Sequence, residues 1–141
     1  MIAAKRSLFL ALVVGATALA AACSHDDPVA FDPGPTSVPD SVEFDQHVQA
    51  IFTSRCALSG CHVGSNPDAG LNLKAGVSYG NIVNVPTEVF VPGVRVTPFQ
   101  PSESVLYLLV ESGDMPGSGP DLSAVQKEII RIWIEDGAPD N

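Results

Sequence analysis

The chain has 141 residues, 45% of them hydrophobic and 16% charged, with a formal net charge of -9. That length sets one small domain, on the prior of roughly 100 to 200 residues per domain, and excludes a multidomain enzyme. The acidic excess excludes the Lys- and Arg-driven neutralisation of phosphate on which nucleic-acid binding depends, so no nucleic acid is expected as a partner.

Lys5 and Arg6 precede a 15-residue apolar run, Leu8 to Ala22, interrupted only by Thr17. Residues 1–22 thus have the charged n-region and apolar h-region of an export signal. The run is short of the roughly 18 to 20 residues that span a bilayer comfortably. Past it the chain keeps five basic against 16 acidic side chains, a formal charge of -11. Such a surface favours electrostatic docking of a basic protein. Ala20, Ala21 and Ala22 lead directly into Cys23, and this end resembles the lipobox of bacterial lipoproteins. The family usually has Leu three residues before the Cys, where this chain has Ala20. The resemblance implies lipidation of Cys23, which becomes the mature N-terminus. Ser24, where inner-membrane retention would favour Asp, is similar to lipoproteins sorted to an outer membrane. The other reading is an ordinary signal peptide cut at the Ala run, leaving Cys23 as a thiol that needs its own explanation.

Residues 23–41 follow as a linker. From Ser24 to Ser41 the 18 residues hold four Pro, one Gly and four Asp, a composition with little to bury and the character of a flexible tether. At roughly 3.1 Å per residue in a polyproline-like state it reaches on the order of 50 Å from the membrane. His25 belongs to this solvated stretch.

The folded part is expected over residues 42–141. Phe44, Val48, Ile51 and Phe52 fall at i, i+4, i+7 and i+8, the apolar stripe of a helix from about Ser41 to Ser54. The stretch from Gly64 to Pro101 is rich in Gly, Pro and Asn with scattered apolar residues, and Val89 to Val96 has the β-branched character of a short strand or hairpin interrupted by Pro92 and Gly93. A helix fits Ser102 to Ser112, with Ser102 as N-cap, Val105, Leu106, Leu109 and Val110 as its apolar face, and Gly113 at its end. Ser123 and Gln126 form a capping box ahead of Val125, Ile129, Ile130, Ile132, Trp133 and Ile134, and Gly137 and Pro139 stop that last helix. Helices at both ends with a long irregular middle point to a bound cofactor for the middle to wrap around.

Cys56, Cys61 and His62 lie in the segment Arg55 to His62, directly after the first amphipathic helix. Two thiols on a tight loop can each add to a porphyrin vinyl group, and a His directly after the second Cys is placed to bind the iron. The common spacing has two residues between the cysteines. Here there are four, Ala57, Leu58, Ser59 and Gly60, and Ser59-Gly60 can supply the extra turn.

From about Phe44 onward the chain resembles a monohaem cytochrome c of class I type, close to the exported single-domain cytochromes of Gram-negative bacteria. The matching pieces begin with the Phe-containing helix running into Cys56, Cys61 and His62, then Gly70, Leu71 and Leu73. They continue with Val96 and Pro98, with Pro101, Ser104 and Leu106, with Met115-Pro116, and with Ile132-Trp133-Ile134 ahead of Gly137-Ala138. The resemblance implies an all-α, cytochrome c-like fold whose terminal helices cross beside the haem, with Phe52 and Trp133 at their contact. It implies one covalent haem c on Cys56 and Cys61, with His62 and Met115 as the axial ligands of the iron. His/Met ligation raises the reduction potential. Met115 is the only Met besides the initiator and sits in a Gly, Asp and Pro loop, whereas a core Met more often lies on a helical stripe. His47 is the alternative distal ligand. Pro67 could offer its carbonyl to the other ring nitrogen of His62.

The resulting expectation is a membrane-tethered electron carrier in the periplasm, on the outer membrane, with basic redox partners and no catalytic residues of its own. Met115 fills the position that a peroxidase would leave open. Two other readings stay open. Cys56 and Cys61 could form a small disulfide in an exported binding or adaptor domain without haem, or they could join His62 in a zinc site, although the second ligand pair typical of structural zinc is absent.

Overall fold

The computed structural model describes residues 34–87 and 92–141. The export signal, Cys23, Ser24, His25 and the tether up to residue 33 lie outside the described residues, as does the 88–91 part of the expected strand.

Helix α1 opens with one wide turn over Phe44–Val48 and continues as regular α-helix over Gln49–Arg55. In the wide turn the Val48 and Gln49 amides donate to carbonyls five residues back, those of Glu43 and Phe44, a π turn. The helix starts at Phe44, later than the pattern suggested, because Glu43 stays extended at φ -111°, ψ 144°. The Glu43 side chain caps no amide of this start. The far end of the chain does so instead: the Phe44 N–H donates to Asn141 Oδ1 at 2.8 Å and the Asp45 N–H to the Asn141 carbonyl at 2.9 Å.

The irregular middle is less bare than its composition implies. A short helix α2 spans Ser78–Ile82, and strands β1 (Pro86–Thr87) and β2 (Gly93–Val94) pair antiparallel with Pro86 opposite Val94. The β-branched segment therefore does contribute a hairpin strand. Its Gly93 is required by packing, since a Cβ there would lie 2.9 Å from Val105.

Helix α3 covers Val105–Ser112 and ends at Gly113, whose φ of 84° is the left-handed C-terminal cap that glycine adopts without strain. Its start differs from the expected one. Pro101–Glu103 form a separate 3-10 turn, and Ser104, extended at ψ 107°, takes the N-cap place expected for Ser102. The Ser104 hydroxyl caps no helix amide. It accepts from the Thr97 N–H at 2.9 Å and donates to the Gln100 carbonyl at 2.9 Å, because the chain before α3 turns back on itself there.

Helix α4, Ala124–Glu135, has the expected capping box: Ser123 Oγ accepts from the Gln126 N–H at 3.2 Å and Gln126 Oε1 from the Ser123 N–H at 2.9 Å. Its buried face packs on α1. The ring on Trp133 is that of Phe44, centroids 5.1 Å apart, while Phe52 meets Phe44 edge-on at 6.3 Å. The contact between the terminal helices thus runs through Phe44 rather than Phe52. Tyr79 of α2 closes the aromatic cluster at 5.3 Å from Phe44 and donates its hydroxyl to the Ala138 carbonyl at 2.9 Å, and Trp133 Nε1 donates to the Pro139 carbonyl at 2.9 Å. The buried aromatic polar groups are therefore satisfied by the C-terminal tail.

Among the described residues the architecture is mostly helical with one two-stranded sheet. Residues 34–41, assigned above to the tether, lie against the domain: Val38 packs on the core, and a Cβ on Gly34 would come within 2.5 Å of Gln126 Nε2. Among the described residues no helix is long and apolar enough to cross a membrane.

Candidate functional site

The end of α1 sets the first thiol. Cys56 donates its amide to the Phe52 carbonyl at 2.9 Å, and the Ala57 N–H shares that carbonyl at 2.7 Å as the helix ends. The chain then turns at Leu58 to Cys61, where the Cys61 N–H returns to the Leu58 carbonyl at 3.0 Å and Gly60 takes φ 82°. Ser59 and Gly60 are thus the central residues of the extra turn, with glycine at the position that needs positive φ. The His62 N–H donates to the Cys56 carbonyl at 3.2 Å and closes the loop. The four intervening residues are therefore folded back so that His62 is hydrogen-bonded to the residue at which the helix ends.

His62 is held from the following segment as well. The Asp68 N–H donates to the Cys61 carbonyl at 3.0 Å, and the Leu73 N–H to the His62 carbonyl at 2.8 Å. Gln49 of α1 fastens this segment, donating through Nε2 to the Leu73 carbonyl at 3.1 Å and accepting through Oε1 from the Ser78 hydroxyl. The ring itself contacts the Asp68 carbonyl through Nδ1 at 3.2 Å. A carbonyl only accepts, so Nδ1 is the protonated nitrogen of this contact, and in the neutral imidazole Nε2 then keeps its lone pair for a ligand. The carbonyl expected from Pro67 is one residue away. Pro67 O closes the 3-10 turn Asp68–Gly70 by accepting from the Gly70 N–H at 3.0 Å, and Asp68 O is the one turned to the ring.

Cys56, Cys61, His62 and Met115 all line one cleft of about 370 Å³, within the roughly 300–1,000 Å³ of small-molecule and cofactor sites. Phe52, Leu71, Leu106 and Leu109 supply apolar wall, so the expected buried face of α3 borders the cleft. Met115 enters from the loop after α3, its N–H bonded to the Leu109 carbonyl at 2.9 Å, and is partly buried against the core. Arg55 ties the far side of that loop by donating to the carbonyls of Pro120 and Asp121.

Cys56 and Cys61 are free thiols. Desolvation pushes the Cys56 thiol up to about 12, with Arg55 opposing and Cys61 adding to the shift. His47 is elsewhere. Its Nδ1 accepts from the Glu43 N–H at 2.9 Å, and it lines a separate hollow of about 100 Å³ beside Ala50 and Ile129. It does not face the cleft, so it does not compete with Met115 for the same space. Among the described residues no group of three or more His, Cys, Asp or Glu side chains is clustered to hold a metal ion.

Arg95 was not singled out by sequence. It lines the cleft, and its guanidinium donates to the Asn81 carbonyl at 2.8 Å and the Ala69 carbonyl at 2.9 Å. Its partners are main-chain atoms far along the chain, which leave no trace in residue spacing.

Comparison of the chain with models of known protein families, with curated proteins and with solved structures finds no match.

Proposed function

We propose that this chain is a haem c electron-transfer protein with a cytochrome c-like fold, tethered through a lipidated Cys23 on the periplasmic side of a bacterial outer membrane. The observation that carries the reading is the convergence of Cys56, Cys61, His62 and Met115 on one apolar-walled cleft. Two thiols, an imidazole with its Nε2 lone pair free and a thioether form a donor set suited to a covalently held haem. That set suits a zinc site poorly, since structural zinc takes four thiolate or imidazole ligands. Bound haem would supply an iron that cycles between its ferric and ferrous states.

The chain's own residues would do the rest. Cys56 and Cys61 would each add S–H across a vinyl group to form a thioether, with no atom lost. His62 would bind the iron through Nε2 while its Nδ1–H stays hydrogen-bonded to the Asp68 carbonyl. Met115 would supply the soft sulfur that favours the ferrous state. Phe52, Leu71, Leu106 and Leu109 would exclude water, and the acidic surface would steer a basic redox partner.

The test is a haem-stained denaturing gel with an alkaline pyridine absorption spectrum, on protein made in a host that matures cytochromes c. Colour that survives denaturation is expected. A colourless protein carrying a Cys56 to Cys61 disulfide would replace this reading with an exported, disulfide-stapled binding domain. Met115→Ala should keep the covalent haem and lose the long-wavelength sulfur-to-iron charge-transfer band. An unchanged band in that variant would overturn the assignment of Met115.

A further inference from the structure

The Asp68–Gly70 turn is built around an unusual residue. Ala69 is left-handed at φ 55°, ψ 21°, and Gly70 follows at φ 60°. Alanine resists that region because its Cβ crowds the following carbonyl. The turn's own bonds hold it in part, Gly70 N–H to the Pro67 carbonyl and Leu71 N–H to the Asp68 carbonyl, both at 3.0 Å, and two side chains from outside the turn add to them. The two peptide planes that flank Ala69 are both fastened: the carbonyl of Asp68 faces His62 Nδ1, and the carbonyl of Ala69 faces Arg95 Nη2. Fixing both planes fixes φ and ψ of the residue between them.

Arg95 can act as the fixed end because it is itself held from several elements. Its N–H donates to the Val85 carbonyl at 2.8 Å, its carbonyl accepts from the Leu106 N–H of α3 at 3.0 Å, and Nη1 donates to the Asn81 carbonyl of α2 at 2.8 Å. The guanidinium fork then reaches the turn with its other nitrogen, and a Cβ on Gly70 would lie 4.0 Å from that Nη2.

We propose that Arg95 is the positioning residue for His62. By holding the Ala69 carbonyl it keeps the turn in the conformation that presents the Asp68 carbonyl to Nδ1, and so sets the tautomer and the donor strength of the imidazole. The inference deepens the haem reading and rests on it for its redox consequence alone. An Nδ1–H bonded to a carbonyl makes the imidazole a stronger donor, which favours the ferric state, so loosening the turn favours the ferrous one.

The test is Arg95→Lys, which keeps the charge but replaces a rigid fork by a point donor that cannot serve both carbonyls. Proton exchange is followed by NMR at His62 Nδ1, at the Gly70 and Leu71 amides of the turn, and at the α4 amides as an internal standard. Exchange should accelerate at His62 Nδ1, Gly70 and Leu71 and stay unchanged in α4. Unchanged exchange at the first three sites, or acceleration only in step with α4, would overturn the proposal. This readout is taken on the full chain whether or not it carries haem, so a colourless wild type removes the haem reading and still leaves the positioning role decided. In haem-loaded protein the redox equilibrium should move toward the ferrous form by up to tenfold, about 59 mV for a one-electron couple. A shift toward the ferric form would equally count against the proposal.

Discussion

Cys56 sits where helix geometry ends and covalent chemistry would begin, and its acidity reflects that place. Desolvation raises its thiol from 9.0 to about 12. A group whose folded pKa lies above its unfolded value contributes stability that is complete below the unfolded value and lost as pH rises through the folded one. Haem-free protein should therefore lose stability between about pH 9 and about pH 12. Tyr79 and Tyr107, also raised chiefly by burial, act in the same direction, so the comparison that isolates Cys56 is Cys56→Ala. Denaturant melts at a series of pH values should show a shallower fall for that variant. Equal slopes would mean that the thiol is better solvated than its surroundings imply. At this same scale the sequence singles out Cys56, Cys61, His62 and Met115 by residue type alone, and the structure brings the four to one cleft. It conceals Arg95 and misplaces the carbonyl partner of His62 by one residue, because both roles depend on where the folded turn aims its main-chain oxygens.

Among the elements, α4 is legible from sequence because its signals agree: a capping box, a 3.6-residue apolar period and a glycine after the end. Helix α2 is not, since five residues containing Gly80 and Asn81 are too few and too weak in helix propensity for a pattern to form. The misplaced start of α3 has a related cause. Ser102 and Ser104 are both acceptable caps by type, and only the tertiary bonds of Ser104 to Thr97 and Gln100 decide between them. Helix α1 is recognisable by its stripe, yet its cap comes from Asn141, 97 residues away. Asn141→Ala removes the acceptor for the Phe44 N–H and leaves the main-chain bond from Asp45 in place. The expected loss is about 1 kcal/mol, the typical cost of deleting a capping side chain. Chemical denaturation should find it, and a change below about 0.3 kcal/mol would mean that water replaces the amide as well as Asn141 does. Because Phe44 carries the Trp133 contact, fraying here should also raise amide exchange at the start of α1 before it reaches α4.

Across the whole domain, the aromatic cluster and the cleft divide the labour of holding the fold. Phe44, Tyr79 and Trp133 join α1, α2 and α4. Phe52, edge-on to Phe44, carries the same core to the cleft, which the segment from Cys56 to Leu73 and helix α3 both line, with Leu106 and Leu109 only half-buried. A domain of this size has little core to spare, so a planar apolar occupant bonded at Cys56 and Cys61 would complete the second half of its packing. The consequence can be measured by comparing haem-loaded wild type with the Cys56→Ala/Cys61→Ala variant, which retains His62 and Met115 but cannot hold the group covalently. In a domain of about 60–100 residues, 1 kcal/mol shifts the melting temperature by about 4–8 °C. Loaded protein should melt well above that interval over the variant, and the variant should regain part of the difference when free haem is added in excess, because ligand binding to the folded state stabilises it by mass action. A difference under about 4 °C would mean that the aromatic cluster maintains the fold without an occupant in the cleft, and the cleft would then be a surface feature rather than part of the core.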